Sequence, residues 1–376
     1  MLEFKTAVVG GGFIGGAHVE TLRRIGNVDV AALCDADGAE QKAARLNIRE
    51  AYTDYRKMID DLKPDVIHIC TPNNTHYEIA KYAIERNVNV ICEKPFTKTV
   101  EEAEELIELA RKNNVKGAVN FHCRLYPIPN QMHHMIKHQE LGDIVTVHGS
   151  YIQDWLLYET DYSWRLNADQ VGKTRAVADI GCHLMDLMEF VTGLKIKEVN
   201  AQFSTVHPIR KKPLTKVQTY SKASADAQYE DIPIDTEDAA TVMFKLENGA
   251  IGTAIISQVF AGKKNAAKLC IAGKACSITW DSERIDELLI GHRSQPNKIM
   301  VKDAEMMYPE AAALADYPSG HMEGFPDAFK QVFRQFYNSL FQDGAYSYAT
   351  LEDGLREIKL CEAILKSAKT NKWCEV

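Results

Sequence analysis

The sequence predicts a chain of two domains: a doubly wound α/β domain with a parallel sheet over residues 1–123, and an α+β domain on a mainly antiparallel sheet over 124–376. Three observations carry this. The chain opens on a strand, a glycine-rich turn and a helix, KTAVVGGGFIGG at Lys5 to Gly16. Apolar strand-like runs then alternate with amphipathic segments as far as Asn120. Beyond residue 124, strand-like runs follow one another across two-residue turns, which is antiparallel grammar.

In the opening stretch, Thr6 to Val9 is the strand, and Phe13 to Ile25 carries Ile14, Ala17, His18 and Leu22 at helical spacing. Gly10, Gly12 and Gly15 fall in the G-x-G-x-x-G pattern, which suits a turn with unusual backbone angles, close approach of a pyrophosphate and tight helix-on-strand packing. Phosphates would sit on the free N–H groups where Phe13 and Ile14 begin the helix. Asp35 ends the next apolar run, Val28 to Cys34, and a carboxylate there accepts hydrogen bonds from an adenosine ribose and repels a 2′-phosphate. A glycine pattern alone also marks ordinary turns. Strand, helix and acid together specify a dinucleotide-binding domain, with NAD favoured over NADP.

The alternation continues with Asp65 to Cys70, Val88 to Cys92 and Gly117 to Asn120 as strands, and Thr75 to Glu85 and Val100 to Lys112 as helices. Ligands of such sheets bind beyond the carboxyl ends of the strands. Thr71, Pro72, Asn73 and His76 follow one strand, Glu93 and Lys94 the next, and Asn120, His122 and Arg124 the last, so these are candidate cofactor and substrate residues.

In the second domain, Tyr126 to Gln139 reads as a helix, Ile144 to Gln153 as a strand, and about Ala178 to Val191 as a helix ending at Gly193. Val199 to Val206, Ala240 to Leu246, Ile251 to Val259, Lys268 to Ala272 and Cys276 to Trp280 read as strands, with turn signals at Asn248-Gly249 and Gly273-Lys274. The polar stretch His207 to Asp235, with one strand near Val217, reads as a lid or partner-contacting excursion. Glu323 to Phe341 and Leu351 to Ala368 close the chain as helices, while His133 and His134 are expected on the surface.

Composition narrows the function. A chain of 376 residues, 45% apolar and 26% charged, is an ordinary globular sequence with room for two cores. Its net charge of −8 argues against nucleic acid or an anionic membrane surface as partner. No apolar run reaches membrane-spanning length and no leader precedes the first strand, so a cytoplasmic protein is expected. Nine scattered cysteines without a C-x-x-C pair read as free thiols.

Two stretches carry chemistry. Lys94, between Glu93 and Pro95 at the ligand edge of the sheet, can hold a substrate hydroxyl and favour its ionised form, although a lysine after a core strand also reaches into solvent. In DIGCHLMD, Asp179 and His183 are four apart on a helix, where the aspartate can fix the tautomer of a general base. The other readings are a helix cap beside an interior histidine, or two ligands of a metal site. No further ligand pair has the spacing for a metal, so none is expected.

The chain resembles the Gfo/Idh/MocA oxidoreductases over essentially its full length: VVGGGFIG, TPNNTH, EKP at 93–95, Trp164-Arg165 and DIGCHLMD occur in that order and at the family's separations. The resemblance implies an N-terminal Rossmann domain and a large, mainly antiparallel C-terminal sheet whose open face mediates homodimers or homotetramers. It makes Lys94, Asp179 and His183 the catalytic trio and adds Arg165 to the cofactor site. Lys173 stands where many members carry a second glycine. The implied reaction is NAD-dependent oxidation of a secondary alcohol on a sugar, glycoside or cyclic polyol. Contacts to substrate are expected from Lys94, His122, Arg124, Tyr126, Asp154, Trp155, Tyr158, Asp179, His183 and His321, since aromatic and hydrogen-bonding groups together suit a sugar ring. The run YIQDWLLYETDYSWRL resembles enzymes of glucosides or anhydrosugars more than those of inositol. Glycoside hydrolysis through a transient keto sugar, and sensing without catalysis, are the rival readings. Everything requires Lys94 and His183 to converge beside the nicotinamide ring.

Overall fold

Short runs rich in Val, Ile and Ala become parallel strands when helices cover both faces of a sheet. In the computed structural model, which describes residues 4–215 and 226–376, the first unit comprises residues up to Leu125 together with Phe325–Ile358. Its elements are β1 (Phe4–Val9), α1 (Phe13–Ile25), β2 (Val28–Cys34), α2 (Ala39–Arg45), β3 (Glu50–Tyr52), α3 (Tyr55–Leu62), β4 (Val66–Ile69), α4 (His76–Ile84), β5 (Asn89–Cys92), α5 (Val100–Lys112) and β6 (Gly117–Val119). The six strands are parallel in the order 3-2-1-4-5-6, and a short returning strand at Ala349–Thr350 extends the β6 edge antiparallel. The order reverses beside β1, with β2 on one flank and β4 on the other. A crevice therefore opens past the carboxyl ends of β1 and β4, where Gly10 and Thr71 lie.

The helix at Phe325–Ser339 also belongs to this unit and covers α1: His18 packs on Phe333 with ring centres 4.7 Å apart and on Phe329 at 5.5 Å. Nothing in the periodicity of that helix says which half it joins.

The second unit comprises Tyr126–Gly324 and Lys359–Val376. It starts with α6 (Pro127–Lys137), β7 (Ile144–Ile152), α7 (Ala168–Val171) and α8 (Cys182–Thr192). The strands β8 (Ile196–Ser204), β9 (Ile209–Pro213), β10 (Tyr229–Pro233), β11 (Ala239–Leu246), β12 (Ile251–Ser257), β13 (Ala266–Gly273), β14 (Ser277–Asp281), β15 (Glu287–Gly291) and β16 (Lys298–Val301) follow. Eight of these strands form one sheet in the order 16-15-14-13-7-12-11-8, and Cys374–Glu375 adds a ninth at the β8 edge. Neighbours are antiparallel except β7 and β12, which run parallel. β9 and β10 form a separate two-stranded ribbon inside the predicted excursion, and the strand expected near Val217 lies outside the described residues.

Burial alternates along β11 and β12, so one sheet face is core and the other is exposed. The register places Met243, Ile251, Ile255, Leu289 and Ile299 together on the exposed face. Glycines let helix meet sheet on the core face: a Cβ at Gly149 would stand 2.8 Å from Met188 of α8, and one at Gly181 2.7 Å from Ile256 of β12.

Two expectations are corrected. The helix expected from Ala178 begins instead as a wide π-type turn, Val177–Gly181, before α8. Buried Glu237 accepts the backbone N–H groups of Arg175 (2.9 Å) and Val177 (2.8 Å), which anchors the entry to that turn. His134, expected on the surface, is buried, and His133 stacks on Phe190 with ring centres 4.7 Å apart while Nδ1 lies 2.8 Å from the Phe190 carbonyl. α6 packs against α8 and also against a short helix at Pro309–Ala312, so both flanks of it are covered.

Candidate active site

The nucleotide end of the first unit is built by three glycines with different duties. Gly10 has φ +99°, and a Cβ on it would stand 2.6 Å from the Cys70 carbonyl oxygen across the β1–β4 crevice. A Cβ on Gly15 would stand 1.8 Å from the Gly10 carbonyl, so only glycine lets α1 sit this close to the turn. A Cβ on Gly12 would meet nothing. Gly12 caps α1 without a side-chain bond, and no acid occupies the first turn, so the helix start presents its N–H groups and positive end to an anion. The residues fit a dinucleotide pyrophosphate.

Asp35 follows β2 directly, with its carboxylate already held. Oδ2 accepts the Gly11 N–H at 2.7 Å and faces Lys42 Nζ at 2.8 Å, while Oδ1 accepts the Asp37 N–H at 3.0 Å. Partial burial would raise its pKa, but these donors outweigh burial and keep the carboxyl below its ordinary range. It is an acceptor at neutral pH, as ribose recognition requires.

The loop after β4 is set by His76 and Thr75. The Thr75 hydroxyl lies 2.8 Å from the Pro72 carbonyl, and the His76 ring nitrogens lie 2.9 Å from the Thr71 carbonyl and 2.8 Å from that of Pro95. Burial pulls His76 below its ordinary pKa despite both carbonyls, so the neutral ring donates to one of them. His76, a candidate for the cofactor, clamps the Thr71–Asn73 loop to the loop that carries Lys94.

Behind Lys94, Glu93 is buried. Its Oε1 takes His18 Nε2 at 3.0 Å and Asn120 Nδ2 at 2.6 Å. Burial would raise the carboxyl, but His18, Asn120 and the Lys94 charge bring it down to about 2. His122 packs on Phe325 and Phe329, and burial lowers it to about 4, so its ring is neutral. The Arg124 guanidinium lies 3.3 Å from Asp353, which also accepts the Thr350 N–H at 2.9 Å at the start of the helix Leu351–Thr370.

In the second unit Asp179 sits in the π-type turn, a distortion that recurs at functional sites. Arg165 Nε stands 3.3 Å from Oδ1, and Gln258 Nε2 donates to Oδ2 at 2.8 Å. Arg165 also lies over the Trp164 ring at 4.6 Å. His183, in the first turn of α8, is buried with its ring 6.2 Å from that of Tyr151. Tyr126 is buried against Trp280 at 5.6 Å, and Trp155 donates through Nε1 to Gln153 at 2.7 Å. Asp154 pairs with Lys264 at 2.7 Å, and Tyr158 and His321 are exposed.

The structure thus joins Arg165 to Asp179 and Glu93 to Asn120. Gln258, Arg175 and Asp238 were not among the sequence candidates; Gln258 carries the signal of a polar residue directly after a strand, and Asp238 directly precedes one.

A glycine turn feeding an open helix start, with an ionised carboxylate at the end of the next strand, defines a dinucleotide-dependent oxidoreductase of the Rossmann class. A family model described as "Oxidoreductase family, NAD-binding Rossmann fold" matches residues 4–121, and one described as "GFO/IDH/MocA C-terminal domain" matches residues 130–279. Levoglucosan dehydrogenase of Pseudarthrobacter phenanthrenivorans is 27% identical and aligns with 100% of this chain and 99% of its own. D-glucoside 3-dehydrogenase of Escherichia coli is 25% identical over 66% of this chain and 68% of its own. A structure of levoglucosan dehydrogenase in complex with NADH and L-sorbose superposes with a TM-score of 0.89 at 26% identity, covering 100% of this chain and 99% of that one. This chain belongs to the Gfo/Idh/MocA family of NAD-dependent oxidoreductases, whose members include sugar and polyol dehydrogenases.

Proposed function

We propose that this protein oxidises a secondary hydroxyl of a glucoside, anhydrosugar or related sugar to a ketone, with NAD as oxidant. The observation that carries this is the state of Asp179: a cation and an amide donor hold both its oxygens in the turn that leads into His183. An unactivated hydroxyl is a weak acid, so loss of hydride needs simultaneous removal of the proton. His183 is the base that takes it, and Asp179 sets the ring's orientation and basicity. Lys94 stabilises the negative charge that develops on the oxygen. The bound dinucleotide supplies the hydride acceptor.

The likeness to a levoglucosan dehydrogenase along the whole chain, and to a D-glucoside dehydrogenase over two thirds of it, supports a glucoside or anhydrosugar over a free inositol. His122, Arg124, Tyr126, Asp154, Trp155, Tyr158 and His321 stand as candidate substrate contacts. Met243, Ile251, Ile255, Leu289 and Ile299 leave an apolar stripe on the exposed sheet face, which supports a homo-oligomer assembled there. Among the described residues no helix is long and apolar enough to cross a membrane.

A panel of inositols, glucose, glucosides and anhydrosugars, assayed with NAD and with NADP by absorbance of the reduced nicotinamide, tests this reading. Reduction of NAD by a glucoside or anhydrosugar is the expected result. Release of free sugar from a glycoside with no net reduction would replace it with NAD-assisted hydrolysis.

A further inference from the structure

Gln258 is fully buried just past the end of β12, and its side chain lies between two groups of opposite demand. Arg175 Nη1 stands 3.0 Å from its Oε1, and Asp179 Oδ2 stands 2.8 Å from its Nε2. A guanidinium can only donate. The amide must therefore turn its oxygen to Arg175 and its N–H to Asp179, and Asp179 must accept. Arg175 cannot swing away, because Nε lies 3.2 Å from Thr236 Oγ1 and Nη2 is bonded to Asp238. The backbone is pinned as well: the Gln258 N–H donates to the Asp238 carbonyl at 2.9 Å, and the Gln258 carbonyl accepts the Leu156 N–H at 3.1 Å.

Asp238 is shared. Arg210, also fully buried, places Nη2 2.7 Å from the same Asp238 oxygen and 2.9 Å from the Leu156 carbonyl, with Nη1 2.9 Å from the Tyr158 carbonyl. The Asp238 hub thus fixes the loop bearing Trp155 and Tyr158 through one arginine and the amide facing Asp179 through the other. The charged groups around this line are Arg165 on Asp179, Arg175 and Arg210 on Asp238, and Glu237 at the entry to the turn.

We infer that Gln258 is a positioning residue of the proton-transfer machinery: polarised by Arg175, it donates to Asp179 Oδ2 while Arg165 faces Oδ1, and donors on both oxygens orient the group and favour the carboxylate over the acid. The inference rests on the dehydrogenase reading for its effect on turnover, but not for its effect on Asp179 itself.

Gln258→Met keeps the length of the side chain and removes its polar atoms, whereas Gln258→Glu keeps an acceptor for Arg175 and turns a second acceptor toward Asp179. With the best substrate of the panel, both variants are expected to lose about tenfold or more in kcat with the KM for NAD unchanged, and the acid limb of the kcat profile is expected to move to higher pH. A second readout needs no turnover: the 13C carboxyl shift of Asp179, assigned by its absence in Asp179→Asn, should titrate at higher pH in each variant that melts cooperatively. If neither the Asp179 titration nor the acid limb moves, Gln258 is ordinary core and the inference is overturned, whatever happens to kcat. A wild-type protein that reduces no NAD on the panel defeats the dehydrogenase reading instead, and the carboxyl titration still decides the role of Gln258.

Discussion

His18 Nε2 lies 3.0 Å from Glu93 Oε1 inside the first unit, and behind it a chain of polar groups runs from His18 Nδ1 to His68 Nδ1 (2.9 Å), from His68 Nε2 to the Tyr337 hydroxyl (3.0 Å), and on to Thr6 Oγ1 (2.7 Å). Every member is buried, so each is satisfied by the next rather than by water. The network joins α1, β1, β4 and the loop after β5 to the returning helix at Phe325–Ser339.

This network sets an acid limit on stability. Glu93 falls from an ordinary 4.5 to about 2 on folding, so its contribution is complete above pH 4.5 and is lost as the pH falls toward 2. A shift of that size corresponds to about 3 kcal/mol. His122, depressed from 6.5 to about 4, acts in the same direction at higher pH: the unfolded chain takes up a proton that the buried ring refuses, so stability declines as the pH falls from 6.5 to 4. Urea unfolding should show a decline that begins below pH 6.5 and continues below 4.5. Glu93→Gln should be weaker at pH 7 by about 2 kcal/mol and flatter below pH 4.5. A midpoint constant from pH 7 to 4.5 would contradict the His122 assignment, and one constant from pH 4.5 to 2 would contradict that of Glu93.

Gly12 and Gly15 should separate binding from folding. Gly15→Ala drives a methyl into the Gly10 carbonyl and should cost about 2 kcal/mol or more of stability along with NAD affinity. Gly12→Ala places its methyl in open space, so the melting temperature should hold while NAD binding weakens about tenfold. Calorimetric titration of NAD alongside thermal melting checks both, and unchanged NAD affinity in Gly12→Ala would move the pyrophosphate elsewhere.

Asp35 and Lys42 together suggest how cofactor choice can be changed. Replacing Asp35 removes the repulsive charge and leaves Lys42, now 2.8 Å from the carboxylate, available to a 2′-phosphate. Asp35→Ser should raise kcat/KM for NADP relative to NAD, and Asp35→Ser with Ala36→Arg should raise it further. An unchanged ratio in both would mean that Asp35 does not read the ribose.

His183→Ala should lower kcat about a hundredfold or more with NAD binding nearly intact, since a general base contributes to the chemical step rather than to cofactor affinity. Steady-state kinetics and NAD titration on the same preparation test this, and full turnover in the variant would remove His183 from the mechanism.

Much of the scaffold was legible because local patterns encode it. The glycine spacing, the acid after the second strand and the alternation up to Asn120 are short-range features, and β2 and α5 take the residue limits that their periodicity announced. The Asn248-Gly249 turn joins two antiparallel strands, β11 and β12. Less could be read where packing overrides pattern. His134 is polar yet buried because helices flank α6 on two sides, and Asp179 lies in a wide turn rather than a regular helix because Glu237 anchors its entry.

By itself, the order of residues determined a dinucleotide-binding half, an antiparallel half and the identity of Lys94, Asp179 and His183 as candidates for chemistry. Which groups steady those candidates was decided only in three dimensions. Gln258 stands 79 residues from Asp179, His18 stands 75 from Glu93, and Tyr337 stands 331 from Thr6. Periodicity reports on neighbours within a turn or a strand, whereas a buried amide or imidazole takes its partner from whatever the folded chain brings within 3 Å, and no local pattern records that meeting.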